Sequence, residues 1–383
     1  MTTLASFKID HLVLTAALDP TDSSGKFQVR SVPRPYDVVC DTQVVPCAAV
    51  MEKIKERENT LLFCDAHVAN LYLQNLDIPK ERCLLMHATE ESKTISGVLR
   101  LVDFIFSHRL TKADQVLVVG GGIIQDIAAV ACALYKRGIP WIYFPTTLLS
   151  QCDSCIGGKA GINYGGGKNQ LALFSAPAEV VVNTQFLKSL STEAMASGLG
   201  ELLKLAITGG SVFVAHYADR LPNGIRNIDV NCLTPLILGS LSVKKTVIEH
   251  DEFELNIRQS LNYGHTLGHA IEVLSGYLIP HGQAVAIGML LANELSHRHD
   301  LLSSEDRNTL KNLIIAVLDE RCVVELKRLN TAQLLELLQK DKKTKGSVVN
   351  FIVPREIGSL EILPMPLNKN LHQTVAELLQ EVF

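Results

Sequence analysis

The chain has 383 residues, 47% of them hydrophobic and 20% charged, with a formal net charge of −4. That composition excludes a disordered chain, and the acidic balance argues against a general nucleic-acid binder, which carries a basic surplus. No apolar stretch is long enough to cross a bilayer, and the first twenty residues lack the pattern of a signal peptide; nine scattered cysteines then read as reduced thiols in a cytoplasm.

Residues 1–40 are hard to place, and "LDPTDSSGK" reads as a turn or loose loop. From about residue 60 the pattern becomes regular. "TLLFCD" is an apolar run ending in an acidic residue, as expected of a buried parallel strand. "SGVLRLVDFIFSHRL" has helical periodicity, and "DQVLVVGGG" is a second buried strand running into glycines. "IIQDIAAVACALYKRG" reads as a helix closed by Gly138, and "PWIYFPTTLL" as a third strand. This alternation predicts a parallel sheet with covering helices. After about residue 185 the texture turns helical, and Ser191-Thr192-Glu193 is a helix start. The expected plan is an α/β nucleotide-binding domain over residues 1–188 and a mainly α-helical domain over 189–383. The active site is expected beyond the carboxyl ends of the strands, in the cleft between the domains.

Several segments could carry chemistry. "VVGGGIIQD" places Gly120, Gly121, Gly122 and Asp126 after a strand, where glycine lets backbone approach a pyrophosphate. The full dinucleotide fingerprint fails, because Gln125 stands at its third glycine. "DSCIGGKAGINYGGGKN" combines Asp153, Lys159, Lys168 and Asn169 with two glycine clusters. That suits a phosphate-binding loop, against the plainer reading of a solvated one. Within it, Cys152 and Cys155 form a lone CxxC that reads as packing rather than a redox or zinc pair. In "SGLGELLKLAI" the leucines form the apolar stripe, so Glu201 and Lys204 are expected to be an exposed ion pair. Lys244, Lys245, Glu254, Arg258 and Asn262 precede the histidines of "NYGHTLGHAIE", and His281 follows Pro280 at a helix start. Spacing leaves two metal-ligand sets open. His265, His269 and Glu272 share one helical face, while His265 and His281 could bind with a remote carboxylate.

These segments together resemble the dehydroquinate synthase family, within the wider group of sugar-phosphate cyclases. The resemblance runs from about residue 60 to 360 through "GGGIIQD", "YKRGIPWIYFPTTLLSQCDSCIGGKAGIN", "GKN", "GLGELLK", "LNYGHTLGHAIE", "HGQAVAIGM" and "DKK". As a set these motifs are highly specific.

The resemblance implies an NAD-binding domain, a helical domain and a divalent metal, usually zinc, with cobalt as an alternative. It implies Glu201, His265 and His281 as metal ligands. It implies Asp65, Glu90, Lys93, Gly121, Gly122, Asp126, Thr146, Thr147 and Lys168 as NAD contacts. Asp153, Lys159, Asn169, Lys204, Lys244, Glu254, Arg258, Asn262 and His269 match substrate-pocket positions. Lys342 or its neighbour Lys343 matches a pocket-closing lysine. Arg137 matches an arginine that reaches the partner subunit's site, which implies a homodimer. The reaction so implied oxidises a ring hydroxyl, eliminates phosphate, reduces the ketone again, and reopens and recloses the ring as a carbocycle.

Arg258, Asn262 and His269 agree with the pattern for a seven-carbon keto-acid phosphate (DAHP), the substrate of the shikimate pathway to aromatic amino acids. Gln283 in place of the usual Glu, Gln125 in place of glycine and Asn183 in place of Asp keep other readings open. Those are a sedoheptulose 7-phosphate cyclase (a valiolone-type synthase) or an amino-dehydroquinate synthase of secondary metabolism. From other classes, a metal-dependent polyol dehydrogenase or a non-catalytic phosphate-binding paralogue would share the plan.

Overall fold

Residues 1–40, hard to assign by pattern, contain four strands. The computed structural model describes residues 2–19, 25–32, 34–74, 78–222, 224–225, 228–340 and 348–382. It divides into two compact units, Met1–Thr21 with Ser191–Phe383, and Asp22–Leu190. Strands β1 (Thr3–Ile9) and β2 (Leu12–Leu18) form an antiparallel hairpin turning at Asp10, whose φ is +50°. Ala5, Phe7 and Ile9 alternate with exposed neighbours and face inward, the period of a half-buried strand. This hairpin departs from the continuous 1–188 domain expected from sequence. It belongs to the unit that contains residues 191–383, because β1 pairs in parallel with a strand at residues 359–366.

The Asp22–Leu190 unit is an α/β layer structure. Strands β3 (Lys26–Val29) and β4 (Tyr36–Cys40) pair antiparallel. Helix α1 (Cys47–Lys55) leads to β5 (Thr60–Asp65), the short α2 (Ala66–Val68), β6 (Cys83–Met86), α3 (Ile95–Ser107), β7 (Gln115–Gly120), α4 (Gly122–Leu134) and β8 (Trp141–Pro145). A hairpin of β9 (Lys159–Tyr164) and β10 (Gly167–Phe174) precedes β11 (Glu179–Val182). The seven-stranded sheet has the order β3-β4-β11-β8-β7-β5-β6, parallel everywhere but at the β3–β4 edge. The central strands β7 and β8 are buried along their whole length, as their unbroken apolar runs require when helices cover both faces. The segment read as a glycine-lysine loop is therefore a strand hairpin, turning at Gly165 and Gly166 with φ of +59° and +79°. Cys152 and Cys155 are buried and their thiols lie near the Leu149 and Gln151 carbonyls, as packing residues do.

The second unit is mainly helical. It contains α5 (Thr192–Gly209), α6 (Ser211–Arg220), α7 (Leu233–His250), α8 (His265–Leu274), α9 (His281–Arg298), α10 (Ser304–Val317), α11 (Glu320–Leu326) and α12 (Thr331–Lys340). After α12 come β12 (Val348–Glu356), β13 (Ser359–Pro366) and α13 (Lys369–Val382). The helical pattern concealed a four-stranded sheet of order β12-β13-β1-β2. No helix among the described residues is long and apolar enough to cross a membrane.

Helix α5 starts at Ser191, whose hydroxyl caps the Ala194 amide at 3.2 Å, and is buried on every side from Ala196 to Gly209. It crosses α9 at backbone contact. A Cβ on Gly200 would lie 2.1 Å from the Gly282 carbonyl oxygen, and one on Gly282 would lie 1.8 Å from that of Ser197. Only glycine fits at either position, and the residues beside them are Glu201 and His281.

The same junction explains Gln283, which is wholly buried. Its amide nitrogen donates to the Ala196 and Val317 carbonyls, each at 2.8 Å, and its oxygen accepts from the Asp319 amide at 2.8 Å. Two donations and one acceptance match an amide; an ionised carboxylate can only accept. Gln283→Glu is therefore expected to lower unfolding stability by roughly 2–5 kcal/mol, less at acid pH where the carboxyl keeps a proton. Urea titration checks this, and unchanged stability would contradict it.

Candidate metal and cofactor sites

Three distant segments of the second unit meet around Glu201. Its carboxylate is 1% exposed and ion-pairs with Lys204, itself 2% exposed. The exposed pair expected from the helical pattern is thus a buried one, because α7, α9 and α10 surround α5. The Glu201 Oε1 atom lies 3.5 Å from His265 Nε2 and 3.4 Å from His281 Nε2. Both gaps exceed an ordinary hydrogen bond. With zinc bonds of 2.0–2.1 Å, the edge of a coordination tetrahedron is about 3.3–3.4 Å, so these spacings suit donors flanking one ion.

The imidazole tautomers agree with this. The other ring nitrogen of each histidine faces an acceptor: His265 Nδ1 lies 3.1 Å from the Tyr263 carbonyl, and His281 Nδ1 lies 3.0 Å from Glu272 Oε2. With the proton on Nδ1, each Nε2 presents a lone pair. Burial alone would lower the His281 pKa. The nearby Glu201 carboxylate and the hydrogen-bonded Glu272 carboxylate outweigh it and raise the pKa to about 9, and an ion at Nε2 would take that proton's place. One carboxylate and two such imidazoles form a donor set that fits a divalent ion such as zinc.

His269 completes a histidine triad with His265 and His281, in which one ring nitrogen from each lies within 4.8 Å of the other two. The spacing-based set of His265, His269 and Glu272 comes apart: Glu272 contacts His281 instead. Gly264, in the left-handed region at φ +78°, breaks the chain direction before α8 and starts that helix at His265.

The segment before α8 is organised by Asp251, a residue that pattern reasoning missed. Its carboxylate accepts from the backbone amides of Leu255 at 2.9 Å, Asn256 at 2.7 Å and Arg258 at 3.0 Å. Burial acts to raise its pKa, but these hydrogen bonds prevail and hold it below the usual carboxylate range. The loop so folded carries Glu254 at φ +59°, which accepts from the Asn262 side chain at 2.8 Å. It also carries Arg258, 2% exposed, whose guanidinium donates to the Glu252 carbonyl. Lys244 is buried on α7. Its neighbour Lys245 is ion-paired with Glu249 at 3.1 Å.

In the Asp22–Leu190 unit, the expected NAD contacts other than Lys168, which lies on β10, follow the carboxyl ends of four adjacent parallel strands. Asp65 ends β5, Glu90 and Lys93 follow β6, Gly121, Gly122 and Asp126 follow β7, and Thr146 and Thr147 follow β8. That is where doubly wound sheets bind ligands. Lys93 Nζ lies 2.6 Å from Asp126, and Lys168 Nζ 3.7 Å from Glu90. Asn163, also missed from sequence, ties the group together: its side chain donates to Glu90 Oε1 at 2.8 Å and accepts from the Asn169 amide at 3.1 Å. The missing glycine of the fingerprint has a use as well. Gln125 donates to the Ser154 carbonyl at 2.7 Å and accepts from its hydroxyl at 2.8 Å, fastening α4 to the segment that holds Asp153.

Burial raises the Asp126 pKa to about 6 despite the opposing charge of Lys93. A raised carboxyl is protonated below that pH. On the expectation that ionised Asp126 contacts a nicotinamide cofactor, affinity for that cofactor would fall below pH about 6, up to about tenfold per unit. Asp126→Asn should bind weakly with a flat profile. Titration of NAD across that range checks it, and a wild-type profile without the fall would contradict it.

Asp153 is half-buried, while Lys159, Asn169 and Arg137 are exposed, Arg137 at φ +61° just past α4. Lys342 and Lys343 lie outside the described residues. Asn183, where Asp was expected, caps the Gln185 amide at 2.8 Å and donates to Asp41 Oδ2 at 2.6 Å, which a second carboxylate could not do.

The chain is similar to known proteins over most of its length. The family described as 3-dehydroquinate synthase matches by its N-terminal part over residues 83–197 and by its C-terminal part over 198–344. The 3-dehydroquinate synthase of Desulforamulus reducens is 36% identical over 315 residues, which cover 80% of this chain and 86% of that protein. Among solved structures, a 2-deoxy-scyllo-inosose synthase complexed with carbaglucose-6-phosphate, NAD+ and Co2+ superposes with a TM-score of 0.77. It is 23% identical and covers 92% of this chain and 100% of that one. The 2-epi-5-epi-valiolone synthase from Streptomyces hygroscopicus with NAD+ and Zn2+ bound gives 0.73 at 24% identity, covering 91% of this chain and 96% of that one. At those identities the two structures bear on the fold alone, a parallel α/β region with a helical part. Two family halves matched end to end, with a relative at 36% identity across four-fifths of the chain, give the assignment: this chain belongs to the 3-dehydroquinate synthase family, carbon–oxygen lyases acting on phosphate-bearing substrates.

Proposed function

We propose that the protein is an NAD- and metal-dependent sugar-phosphate cyclase that converts a seven-carbon keto-acid phosphate (DAHP) to the carbocycle 3-dehydroquinate with loss of phosphate. The observation that carries this reading is the Glu201, His265 and His281 donor set, with both Nδ1 atoms held by acceptors and both Nε2 atoms aimed at one carboxylate. When bound, NAD supplies a hydride acceptor and donor, and the divalent ion a Lewis acid for substrate oxygens.

The chain's own residues do the rest. Glu201, His265 and His281 hold the ion. Asp65, Glu90, Lys93, Gly121, Gly122, Asp126, Thr146, Thr147 and Lys168 hold the cofactor. Lys204, buried beside Glu201, offers an ammonium donor to a substrate oxygen. Arg258 presents a planar fork of donors that suits a carboxylate, and Asn262 and Glu254 orient hydroxyls from the loop built on Asp251. His269 binds the phosphate and Lys244 contacts the substrate from the helical unit, and Asp153, Lys159 and Asn169 are substrate contacts offered by the Asp22–Leu190 unit. On the same reading the protein works as a homodimer, with exposed Arg137 offered to the partner subunit.

Two measurements test this. Purified protein with NAD and zinc is given the keto-acid phosphate, sedoheptulose 7-phosphate and glucose 6-phosphate separately. Phosphate release is expected fastest from the first; preference for either of the others moves the substrate to another branch, and none from any sinks the cyclase. Metal content separates the ligand sets: His265→Ala is expected to lose the ion, while His269→Ala keeps it and turns over slowly. Equal loss in both would favour the histidine triad.

A further inference from the structure

His265, His269 and Glu272 lie on one stripe of α8, spaced four and three residues apart. Glu272 shares the face of the histidines yet contacts His281, nine residues on, at the first position of α9. The two ligand histidines are held in different ways. His265 is oriented by a backbone carbonyl, that of Tyr263, which the fold itself fixes. His281 is the more exposed of the two, with a third of its side chain accessible, and its Nδ1 contact is a side-chain carboxylate.

We propose that Glu272 is a positioning residue for the metal centre. By accepting from Nδ1–H of His281 it keeps the proton on that nitrogen and turns Nε2 toward Glu201. The inference rests on the reading of Glu201, His265 and His281 as ligands, and extends it to a fourth side chain that does not touch the ion. Outer partners of this kind are worth about 10–100-fold in metal affinity.

A purely structural Glu272 would tether α8 to α9 and affect stability alone. The two cases separate by reach. Glutamine keeps an acceptor oxygen at the same distance from the backbone; aspartate keeps the charge but falls one methylene short. Metal affinity is measured by chelator competition on wild type, Glu272→Gln, Glu272→Asp, Glu272→Ala and His281→Ala, with thermal unfolding of the metal-free proteins alongside. The ligand-field absorption of the Co2+-loaded proteins reports the coordination geometry.

The expected order is wild type close to E272Q, then E272D and E272A weaker by about 10–100-fold with altered Co2+ bands. If E272A does not fold, E272D against E272Q carries the comparison. Wild-type affinity and spectra in E272D and E272A, with metal lost in H281A, overturn the positioning role and leave the ligand set standing. Wild-type affinity in E272D with loss in E272Q also overturns it, because charge rather than reach would then govern. Wild-type metal binding in H281A overturns both the ligand set and the proposal.

Discussion

On the proposed reading, Glu201→Gln is expected to abolish divalent-ion binding and to lower turnover by about 10³-fold or more. Polarisation of substrate oxygens by a metal is worth several kcal/mol, and each 1.4 kcal/mol or so is a factor of ten. The substitution is nearly isosteric, so its effect isolates charge. It also acts on folding, because Lys204 would keep its buried ammonium without the carboxylate it now faces. Breaking a buried pair from one side costs about 3–5 kcal/mol, so a lower melting temperature should accompany the lost metal. Metal analysis, steady-state kinetics and thermal unfolding of the same preparation check all three. A Glu201→Gln protein that binds the ion and turns over normally would remove Glu201 from the site.

The second large effect is expected at Arg258. On the proposed reading its guanidinium meets the substrate carboxylate inside a loop that Asp251 folds through three backbone amides. Removing one side of a buried, hydrogen-bonded charge pair costs about 2–5 kcal/mol. Arg258→Met should therefore lower kcat/KM for the keto-acid phosphate roughly 30- to several-thousand-fold, mostly through KM. The substrate carries the control within it. An analogue without the carboxylate should lose little between wild type and variant, since it never made the contact. An equal fall for both compounds would make Arg258 a structural residue of the loop.

The parts of the fold that were readable from sequence are those in which local pattern and tertiary environment agree. The runs at 60–65, 115–120 and 141–145 are continuous and apolar because helices cover both faces of the sheet, and they form three adjacent interior strands. The N-terminal hairpin was readable only in part. Ala5, Phe7 and Ile9 do alternate, but the partner strand lies some 350 residues further on, and no local signal announces it. The pair Glu201 and Lys204 misled for a related reason. One turn of helix with an acid and a base looks like a solvated face, and only the helices around α5 make it a buried site.

The site was legible through residue types and the resemblance they carry, and much less through spacing. Helical spacing grouped His265, His269 and Glu272; in space Glu272 holds His281, which follows it across a turn. Asp251 and Asn163 escaped notice because they bond backbone and neighbouring side chains, work that leaves no periodic trace. The departures at Gln125, Asn183 and Gln283 looked like marks of an altered substrate. Each is accounted for by local hydrogen bonds that need an amide, so none of the three requires a changed chemistry.

The central claim is that the cofactor is borrowed and returned while phosphate leaves. It is tested most directly by supplying the keto-acid phosphate in excess over NAD and following released phosphate together with the absorbance of the reduced nicotinamide. The account predicts many phosphates released per NAD, with no lasting rise in reduced cofactor. Reduced cofactor accumulating in step with substrate consumed, without phosphate, would contradict it and make the protein a dehydrogenase.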